Sequence, residues 1–535
     1  MAVLDILSRH EGVIEAIPLV PHRCAATIDG RREGLVFDVE VESGREDDDG
    51  DGSWTECDAA NILGGGCALY EEYLGLKLHD EDPLPRVMRH CAESGRKRFV
   101  DREFPVFPGT VISLAVGGGG EYTHLRPGII TPSNCEDFTS CGGKRARRVS
   151  HFASRATEWV WKRASSMMDD DGRGYEIFSS PGSIDPRNVL QGKVGNCGFC
   201  SIFASVAACW PENIRDAFGK DSEECMRTCG AYSIRVYLPG GRRRYLLLDD
   251  YLLCANEDID DSPSLHSSIS RDLWIRMLEK AYVKLQGSYA SLDGYYKLNS
   301  LYRHPARALQ LLTGVPVALE LHFGEGGCYD DNNNRDNVSR DDEVDEAYET
   351  LLETQGSYAR VAHCRRNIDG LDSNHGYSLL WIEPFYFRTK KTGKAASSRL
   401  VCLRNPHGRG PYTGRDFGVG SSLWHEAESA VARRLLIEND CFIRCDSTGR
   451  VTWRGSANHS NDASIACEDG IFFMGFASFY RYFPIVTLVG PLTPCHDGHS
   501  CGTDCSSSED LPDCMYSVNL SCMKEILAVC RHGLR

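Results

Sequence analysis

The segment QGKVGNCGFC at residues 191–200 leads directly into SIFASVAAC, a stretch that is apolar on nearly all sides. We expect a helix to begin near Cys197 and to be buried, because it has no polar face to turn towards water. Gly192, Gly195 and Gly198 allow neighbouring backbone to come close to it. The rest of the fold must cover this helix, and a chain of 535 residues is long enough to build a large core.

Two cysteines, Cys197 and Cys200, lie at the start of this helix, where free N–H groups and a partial positive charge favour a thiolate. Three interpretations compete. A redox pair is typical of a βαβ context, whereas the preceding SSPGSIDPRNVL is loop-like. Half of a zinc site needs a second pair, and the chain has no other Cys-x-x-Cys. The third is the nucleophile of a hydrolase, which needs a base, a group that orients it and an oxyanion donor.

The chain downstream supplies candidates for those partners. His375 stands at the start of the strand-like YSLLWIEPFYF segment, and Asn405 stands at the end of the strand-like SRLVCLRN segment. Each alone is weak evidence, since a histidine at a turn is often a surface residue and an asparagine before proline often forms a turn. The order Gln191, Cys197, His375, Asn405 favours the hydrolase.

Two further segments have clear patterns. LWIRMLEKAYVKL predicts an amphipathic helix, because its apolar residues recur at helical spacing: Leu273, Met277, Leu278, Ala281, Tyr282 and Leu285. DDNNNRDNVSRDDEVDE at 330–346 is polar throughout and predicts a mobile surface insertion.

Composition bounds the class of protein. Hydrophobic and charged contents of 41% and 25% are typical of a soluble globular protein of two to four domains. A net charge of -17 argues against nucleic acid or anionic membrane as the main partner. Charged residues interrupt the N-terminal segment, Ala2 excludes myristoylation, and no apolar run reaches the roughly 20 residues that span a bilayer. We therefore expect a cytoplasmic protein without integral membrane association, its 24 cysteines largely reduced.

Two other segments are candidate metal sites. REDDDGDGSWTECD matches part of a calcium-binding loop, at Asp47, Asp49, Asp51, Gly52 and Asp58. Its entering segment is strand-like and the usual glutamate is absent, which favours an acidic hairpin loop. In the tail, Cys501 and Cys505 have the spacing of a zinc-ligand pair, but no second cysteine pair follows.

Five blocks of the chain, in the same order, resemble motifs of the calpain family of cysteine proteases. QGKVGNC resembles Q-G-x-x-G-x-C-W, and LWIRMLEKAYVKLQGSYASLDG resembles F-W-x-x-L-L-E-K-A-Y-A-K-L-x-G-S-Y-x-x-L-x-G. NHGYSL resembles G-H-A-Y-S-V, LVCLRNPHGRGPYTG resembles L-I-x-L-R-N-P-W-G-x-x-E-W-T-G, and EDGIFFMGFASFYRYF resembles E-D-G-E-F-W-M-S-F-x-D-F. The resemblance covers roughly residues 98–494.

The resemblance implies an α+β, papain-like core of two subdomains with an N-terminal extension. The segments would be an extension of unknown type (1–97), a helix-rich subdomain (98–294), a β-rich subdomain (295–494) and a Cys-rich tail (495–535), with the subdomains joined near Gly294. The activity would be limited proteolysis of protein substrates, with no nucleic-acid partner and an undetermined oligomeric state. Cys197, six residues after Gln191, would be the nucleophile.

In the implied mechanism, His375 is the acid–base partner of Cys197, and Asn405 orients His375. The Gln191 amide and the Cys197 N–H would stabilise the oxyanion. Cys200 is a candidate redox partner that could close a disulfide with the nucleophile, although a buried, inert thiol is the favoured interpretation.

The chain departs from the family at two positions beside the site. Gly198 and His407 replace tryptophans, and the second change should expose the bond between His375 and Asn405 to water. An alternative function is therefore a catalytically weak or inactive scaffold or regulatory protein of the cytoskeleton or of signalling.

The family's calcium sites are only partly matched, so no cofactor is required and calcium binding should be weak. Asn188 and Asp272 correspond to ligands in the first subdomain, and Asp469 is the best remaining ligand in the second. The other expected carboxylates are replaced at Pro411, Gly418 and Ile471, although Asp416 lies close to Gly418 in sequence.

Overall fold

The structure is a computed structural model. It describes residues 76–93, 97–101, 103–104, 159–169, 171–180, 184–192, 194–238, 242–255, 271–286, 289–292, 300–315, 317–323, 337–388, 395–410, 412–418, 421, 423, 470–490 and 514–533, together with the strand segments 15–18, 55–58, 70–73, 114–115, 122–123, 443–445 and 451–453. Gly294, Asp469, Pro411, Cys501, Cys505 and the acidic residues 47–52 lie outside this part of the chain, and Asp58 ends a short strand.

The described chain is α+β, as expected. The helices are α1 (Leu84–Glu93), α2 (Cys197–Cys209), α3 (Pro211–Arg215), α4 (Ser222–Cys229), α5 (Trp274–Gln286), α6 (Ser300–Thr313), α7 (Asn337–Glu353), α8 (Phe476–Tyr482) and α9 (Leu520–Gly533). Short 3-10 helices span Ala164–Ser166, Pro186–Asn188 and Tyr289–Leu292. None of the described helices is long and apolar enough to cross a membrane.

The strands are β1 (Glu15–Pro18), β2 (Thr55–Asp58), β3 (Tyr70–Tyr73), β4 (Leu76–His79), β5 (Lys97–Val100), β6 (Leu114–Ala115), β7 (Tyr122–Thr123), β8 (Trp159–Arg163), β9 (Ala231–Tyr237), β10 (Arg243–Asp249), β11 (Tyr251–Ala255), β12 (Val317–His322), β13 (Ala359–Cys364), β14 (His375–Arg388), β15 (Ala395–Arg404), β16 (Ile443–Cys445), β17 (Val451–Trp453), β18 (Ile471–Gly475), β19 (Ile485–Gly490) and β20 (Cys514–Val518). Helix α2 and strands β14 and β15 confirm the sequence predictions for those segments, and α5 confirms that its segment is helical.

An eight-stranded sheet organises the second half of the chain, in the order β1-β20-β12-β19-β13-β14-β15-β18. The pair β12–β20 is parallel and the other neighbours are antiparallel. A four-stranded sheet, β3-β4-β10-β9, lies in the first half. The remaining strands pair as β8–β11, β16–β17, β2–β5 and β6–β7.

Two hydrophobic clusters meet at the large sheet. Alternate residues of its strands face opposite ways, so Val361 packs in the cluster that contains α2 and α5, while Ala362 packs in the cluster that contains α7, α8 and α9. Every residue of α2 from Cys197 to Ala207 is buried. The expectation of a central buried helix is therefore confirmed, and the sheet covers one of its sides.

The ends of the described chain are built into these layers. Strand β20 and helix α9 lie within the segment assigned by sequence to the tail, yet β20 hydrogen-bonds to β12 and α9 packs in the second cluster. Helix α1 of the N-terminal segment packs against α4 through Leu84, Val87 and Cys225. The proposed segment boundaries stay predictions.

The expectation of a mobile insertion over 330–346 is wrong for its second half, because α7 begins at Asn337. Its apolar residues Ala347, Tyr348 and Leu351 come after the polar stretch and face the second cluster. They hold the helix on the sheet. The first turns of α7 are polar and have no amphipathic pattern, so the sequence alone does not indicate that the helix begins there.

Burial of His79 on β4 predicts an acid-labile fold. Burial, with help from the charges of Arg86 and Lys284, lowers the pKa of His79 to about 4. The folded state holds His79 in its neutral form, and this costs nothing above the unfolded pKa of about 6.5. As the pH falls from there towards 4, the folded state loses stability relative to the unfolded state, and the loss is about 2 kcal/mol at pH 5. Urea unfolding should therefore show that the free energy of unfolding falls between pH 7.5 and pH 5 in the parent, and that the fall is about 2 kcal/mol smaller in His79→Gln. Equal losses in both proteins would contradict the assignment.

Candidate active site

Cys197 is the first residue of α2, and its surroundings come from β14. The backbone N–H of Gly376 donates a hydrogen bond to Cys197 Sγ at 3.5 Å, and Ser201 Oγ donates to the Gly376 carbonyl at 2.8 Å. A Cβ atom at Gly376 would lie only 3.3 Å from the Gly198 Cα. Two facing glycines thus allow the helix to approach the strand closely, which gives Gly198 a structural role at this contact.

His375 directly precedes Gly376, whose N–H binds the Cys197 thiol. The imidazole is therefore carried by the neighbouring residue. Asn374 before it adopts the left-handed conformation, with φ 51°, which asparagine tolerates better than most residues. His375 Nε2 lies 2.9 Å from Asn405 Oδ1. The segments around residues 197, 375 and 405, far apart in sequence, therefore come together.

The hydrogen bonds around Asn405 fix the tautomer of His375. The backbone N–H of His407 donates to Asn405 Oδ1 at 3.0 Å, which identifies that atom as the amide oxygen. An oxygen cannot donate, so the neutral His375 ring must carry its hydrogen on Nε2. Nδ1 then has the free lone pair, which is the property required of a base.

The ring of His407 stacks on that of His375, with centroids 4.3 Å apart and planes inclined by 28°. His375 and Asn405 are 2% and 1% exposed, so the expectation that loss of the tryptophan exposes their bond to water is wrong. Burial, and then His407, lower the pKa of His375 to about 3, while the hydrogen bond to Asn405 opposes the shift. His375 is consequently neutral at pH 7.

Gln191 lies at the same site and hydrogen-bonds both to the segment after Asn405 and to the loop before α2. Its backbone N–H donates to the Pro406 carbonyl at 2.9 Å, and its side-chain Nε2 donates to the Val194 carbonyl at 2.9 Å. The opposite orientation of the amide would face two oxygens towards each other, so the atom beside the Val194 carbonyl is the amide nitrogen. A primary amide has a second N–H besides the one that the Val194 carbonyl accepts.

Arg404 is a structural element that sequence analysis did not single out. The side chain is buried, and it donates to the carbonyls of Val189 and Arg187 at 2.9 and 3.3 Å. Arg404 directly precedes Asn405, and residues 187–189 directly precede the Gln191 loop. These bonds hold the loop before the nucleophile against the strand end that carries Asn405.

The first turn of α2 is also held from α5. Asn196 Nδ2 donates to Glu279 Oε1 at 2.6 Å, and Asn196 Oδ1 accepts from the Cys200 thiol at 3.6 Å. Cys200 is fully buried, and burial, together with the charge of Glu279, raises its thiol pKa well above the usual value. Cys200 is therefore a thiol that donates to Asn196, and its role as a redox partner of Cys197 stays a prediction.

The candidate calcium ligands of the first half lie together and hydrogen-bond to each other. Asn188 Nδ2 donates to Asp272 Oδ2 at 3.2 Å, and the Ser179 N–H donates to Asp272 Oδ1 at 2.6 Å. Asn188 and Asp272 are both buried. A calcium ion needs six or more oxygen ligands, so it would require several oxygens besides theirs, and weak calcium binding here stays a prediction.

In the second half, Asp416 accepts a hydrogen bond from the Tyr412 hydroxyl. Gly418 and Ile471, where the family motifs have carboxylates, supply no side-chain oxygen.

The model of the calpain family cysteine proteases matches residues 145–446, more than half of the chain and the whole of this site. The chain belongs to the calpain family of cysteine proteases. Family membership agrees with the resemblance in the sequence, and the α+β architecture contains this calpain protease core.

Several characterised calpains are similar to the chain. Calpain-type cysteine protease DEK1 of Arabidopsis thaliana is 29% identical over 135 residues, which are 25% of this chain and 6% of the relative. The Zea mays protein of the same name is 27% identical over 259 residues, 46% of this chain and 10% of the relative. Calpain-5 of Mus musculus is 25% identical over 298 residues, 51% of this chain and 41% of the relative. The chain thus spans less than half the length of these relatives.

Proposed function

We propose that the chain is a cysteine endopeptidase that cleaves proteins at a limited number of peptide bonds, with Cys197, His375 and Asn405 as its catalytic triad. The observation that carries the proposal is the His375 tautomer. Its Nε2–H is held by Asn405, which leaves the Nδ1 lone pair as the base for a thiol bound to the adjacent Gly376 N–H.

The reaction begins with a neutral pair. As the peptide carbonyl binds, the Cys197 thiol proton moves to His375 Nδ1, and the thiolate attacks the carbonyl carbon. The N-terminus of α2 and the Gly376 N–H stabilise the sulfur's negative charge before the attack. The resulting imidazolium donates its proton to the leaving amine. A thioester remains, and water activated by His375 hydrolyses it to release the acid and regenerate the thiol.

The oxyanion of each tetrahedral intermediate would bind the Cys197 backbone N–H and the second N–H of the Gln191 amide. Both belong to the loop and helix start that Arg404 braces against the Asn405 strand end. Loss of one such donor typically costs about 3 kcal/mol of transition-state stabilisation.

We also propose a papain-like arrangement of two subdomains, with substrate bound where the α2 side and the β14–β15 side meet. Support comes from the two hydrophobic clusters, one on each side of the large sheet. The helix N-terminus and the strand start that carry the triad belong to different halves of the chain.

The test is casein cleavage by the purified chain, combined with labelling by a peptidyl epoxide that alkylates cysteine proteases. We expect the epoxide to modify Cys197 and to stop cleavage, and Cys197→Ala to abolish both. The matched control is Cys200→Ala, three residues away, which should retain cleavage within a few-fold. Cleavage that survives Cys197→Ala, or that is lost only in Cys200→Ala, would refute the assignment of the nucleophile.

Cleavage should not require micromolar calcium. Both Asp272 carboxylate oxygens already accept hydrogen bonds, and a cation would have to compete with these bonds in a buried site. A calcium titration from 1 µM to 5 mM, at the ~0.15 M ionic strength of the cell, should change the cleavage rate by less than about twofold below 100 µM. Strong activation in the micromolar range, lost in Asp272→Asn, would overturn this expectation.

A further inference from the structure

Asp372 and His407, which the proteolytic mechanism does not use, form a group with His375. His407 Nδ1 lies 3.5 Å from Asp372 Oδ2. One ligand atom from each of Asp372, His375 and His407 lies within 4.8 Å of the others. Within the described ranges, no other group of three histidine, cysteine or acidic side chains meets that distance.

The chemistry of these atoms selects among cations. Two imidazole nitrogens and one carboxylate oxygen are a ligand set typical of Zn²⁺, whereas calcium prefers oxygen ligands throughout. Bonds of about 2.1 Å to a tetrahedral ion place two ligand atoms about 3.4 Å apart. The 3.5 Å between His407 Nδ1 and Asp372 Oδ2 is close to that value, and the widest separation in the group, at most 4.8 Å, has to shrink by at most about 1.4 Å.

The group is open to solvent on one side. The Asp372 and His407 side chains are 54% and 32% exposed, while His375 is buried behind them. The rings of His375 and His407 are nearly parallel, so the His407 ring must turn for both nitrogens to point at one ion. Its partial exposure leaves room for that rotation, and the Asn405 bond keeps His375 in place.

We propose that Asp372, His375 and His407 form a binding site for Zn²⁺ that inhibits the protease reversibly. His375 cannot hold the ion and serve Cys197 at the same time. Coordination through Nδ1 occupies the lone pair that takes the thiol proton, and coordination through Nε2 breaks the hydrogen bond to Asn405. The indole that the family motif has in place of His407 offers no ligand atom, so the site depends on this substitution.

The first arm of the experiment measures binding without activity. In Cys197→Ala protein, buffered micromolar Zn²⁺ should protect His407 from diethyl pyrocarbonate at least fivefold, as read by mass spectrometry, and Asp372→Asn should remove the protection. His90 on α1, outside the group, should react equally with and without zinc. Modification of His407 at an unchanged rate would overturn the proposal whether or not the chain is a protease.

The second arm measures inhibition and rests on the proposed function. Casein cleavage by the parent should be half inhibited by micromolar free zinc. Cleavage by His407→Trp, normalised to its own zinc-free rate, should need at least a tenfold higher free zinc concentration for half inhibition. Equal inhibition of both proteins would mean that zinc acts through the other thiols and would refute the inhibitory site. A chain that cleaves nothing would refute the proposed function, and the protection result would still decide the metal site.

Discussion

Replacement of His375 by glutamine should lower kcat/KM for peptide cleavage by about 10³-fold or more, because general acid–base catalysis alone contributes about 10²–10⁴-fold. Glutamine can keep a hydrogen bond to Asn405, so the strand end stays in place. The side chain has no basic lone pair for the Cys197 proton and no acidic proton for the leaving amine.

Alkylation of Cys197 separates this loss from a general loss of folding. His375 Nδ1 should take the thiol proton as the sulfur attacks iodoacetamide, so Cys197 should react more slowly at pH 7 in His375→Gln than in the parent, while urea unfolding still shows a cooperative transition. The matched control is His322→Gln, on β12, three strands along the sheet from β14, which should retain cleavage within about twofold. Cleavage by His375→Gln within tenfold of the parent would exclude His375 as the base.

The order of Gln191, Cys197, His375 and Asn405 in the sequence was enough to predict which segments meet. Each lies at the start or end of an element that hydrophobic patterning indicates, and elements with a long apolar run must pack together. The structure brings these segments together, and the roles of the four residues stay predictions. The finer geometry depends on backbone groups, such as the Gly376 N–H and the His407 N–H, which have no signature in a sequence.

Two substitutions at the site show why residue types alone misled. Gly198 and His407 stand where tryptophans are expected, and from sequence both indicate a weakened site. In the structure, Gly198 meets Gly376 across a close contact between α2 and β14, and His407 covers His375 by stacking. The compensating residues lie about 180 and 30 positions away in the chain, and only the fold reveals the pairing.

Helix α5 was predicted correctly as a helix but wrongly as amphipathic. Its charged residues, Arg276, Glu279, Lys280 and Lys284, are as buried as its apolar ones. Periodicity assigns a charged residue to the solvent side because burial of an unpaired charge is costly. The partners that remove this cost come from other elements: Asn196 before α2, Asp249 on β10 and Asp101 after β5.

Lys280 is the centre of one of these buried networks. Its ammonium group donates to the Asp249 carboxylate and, at 2.8 Å each, to the carbonyls of Asp249 and Tyr251. The two side chains are 1% and 0% exposed. Burial raises the pKa of Asp249, and Lys280 is the main group that opposes the shift. The Asp249 carboxylate also accepts from the Asp101 and Tyr251 N–H groups, and Lys280 supplies the positive charge beside it.

Lys280→Met should therefore lower the free energy of unfolding by about 3–5 kcal/mol, the usual cost of leaving one member of a buried ion pair without its partner. The deficit should shrink as the pH falls, because the Asp249 pKa then lies above its unfolded value and protonation stabilises the folded state. Urea unfolding of Lys280→Met and of Lys280→Met with Asp249→Asn, at pH 8 and 5.5, measures both effects, and the double variant should recover part of the loss.

Exposed Lys220→Met is the control, expected within about 0.5 kcal/mol of the parent. A similarly small change in Lys280→Met would mean that the ion pair contributes nothing to folding.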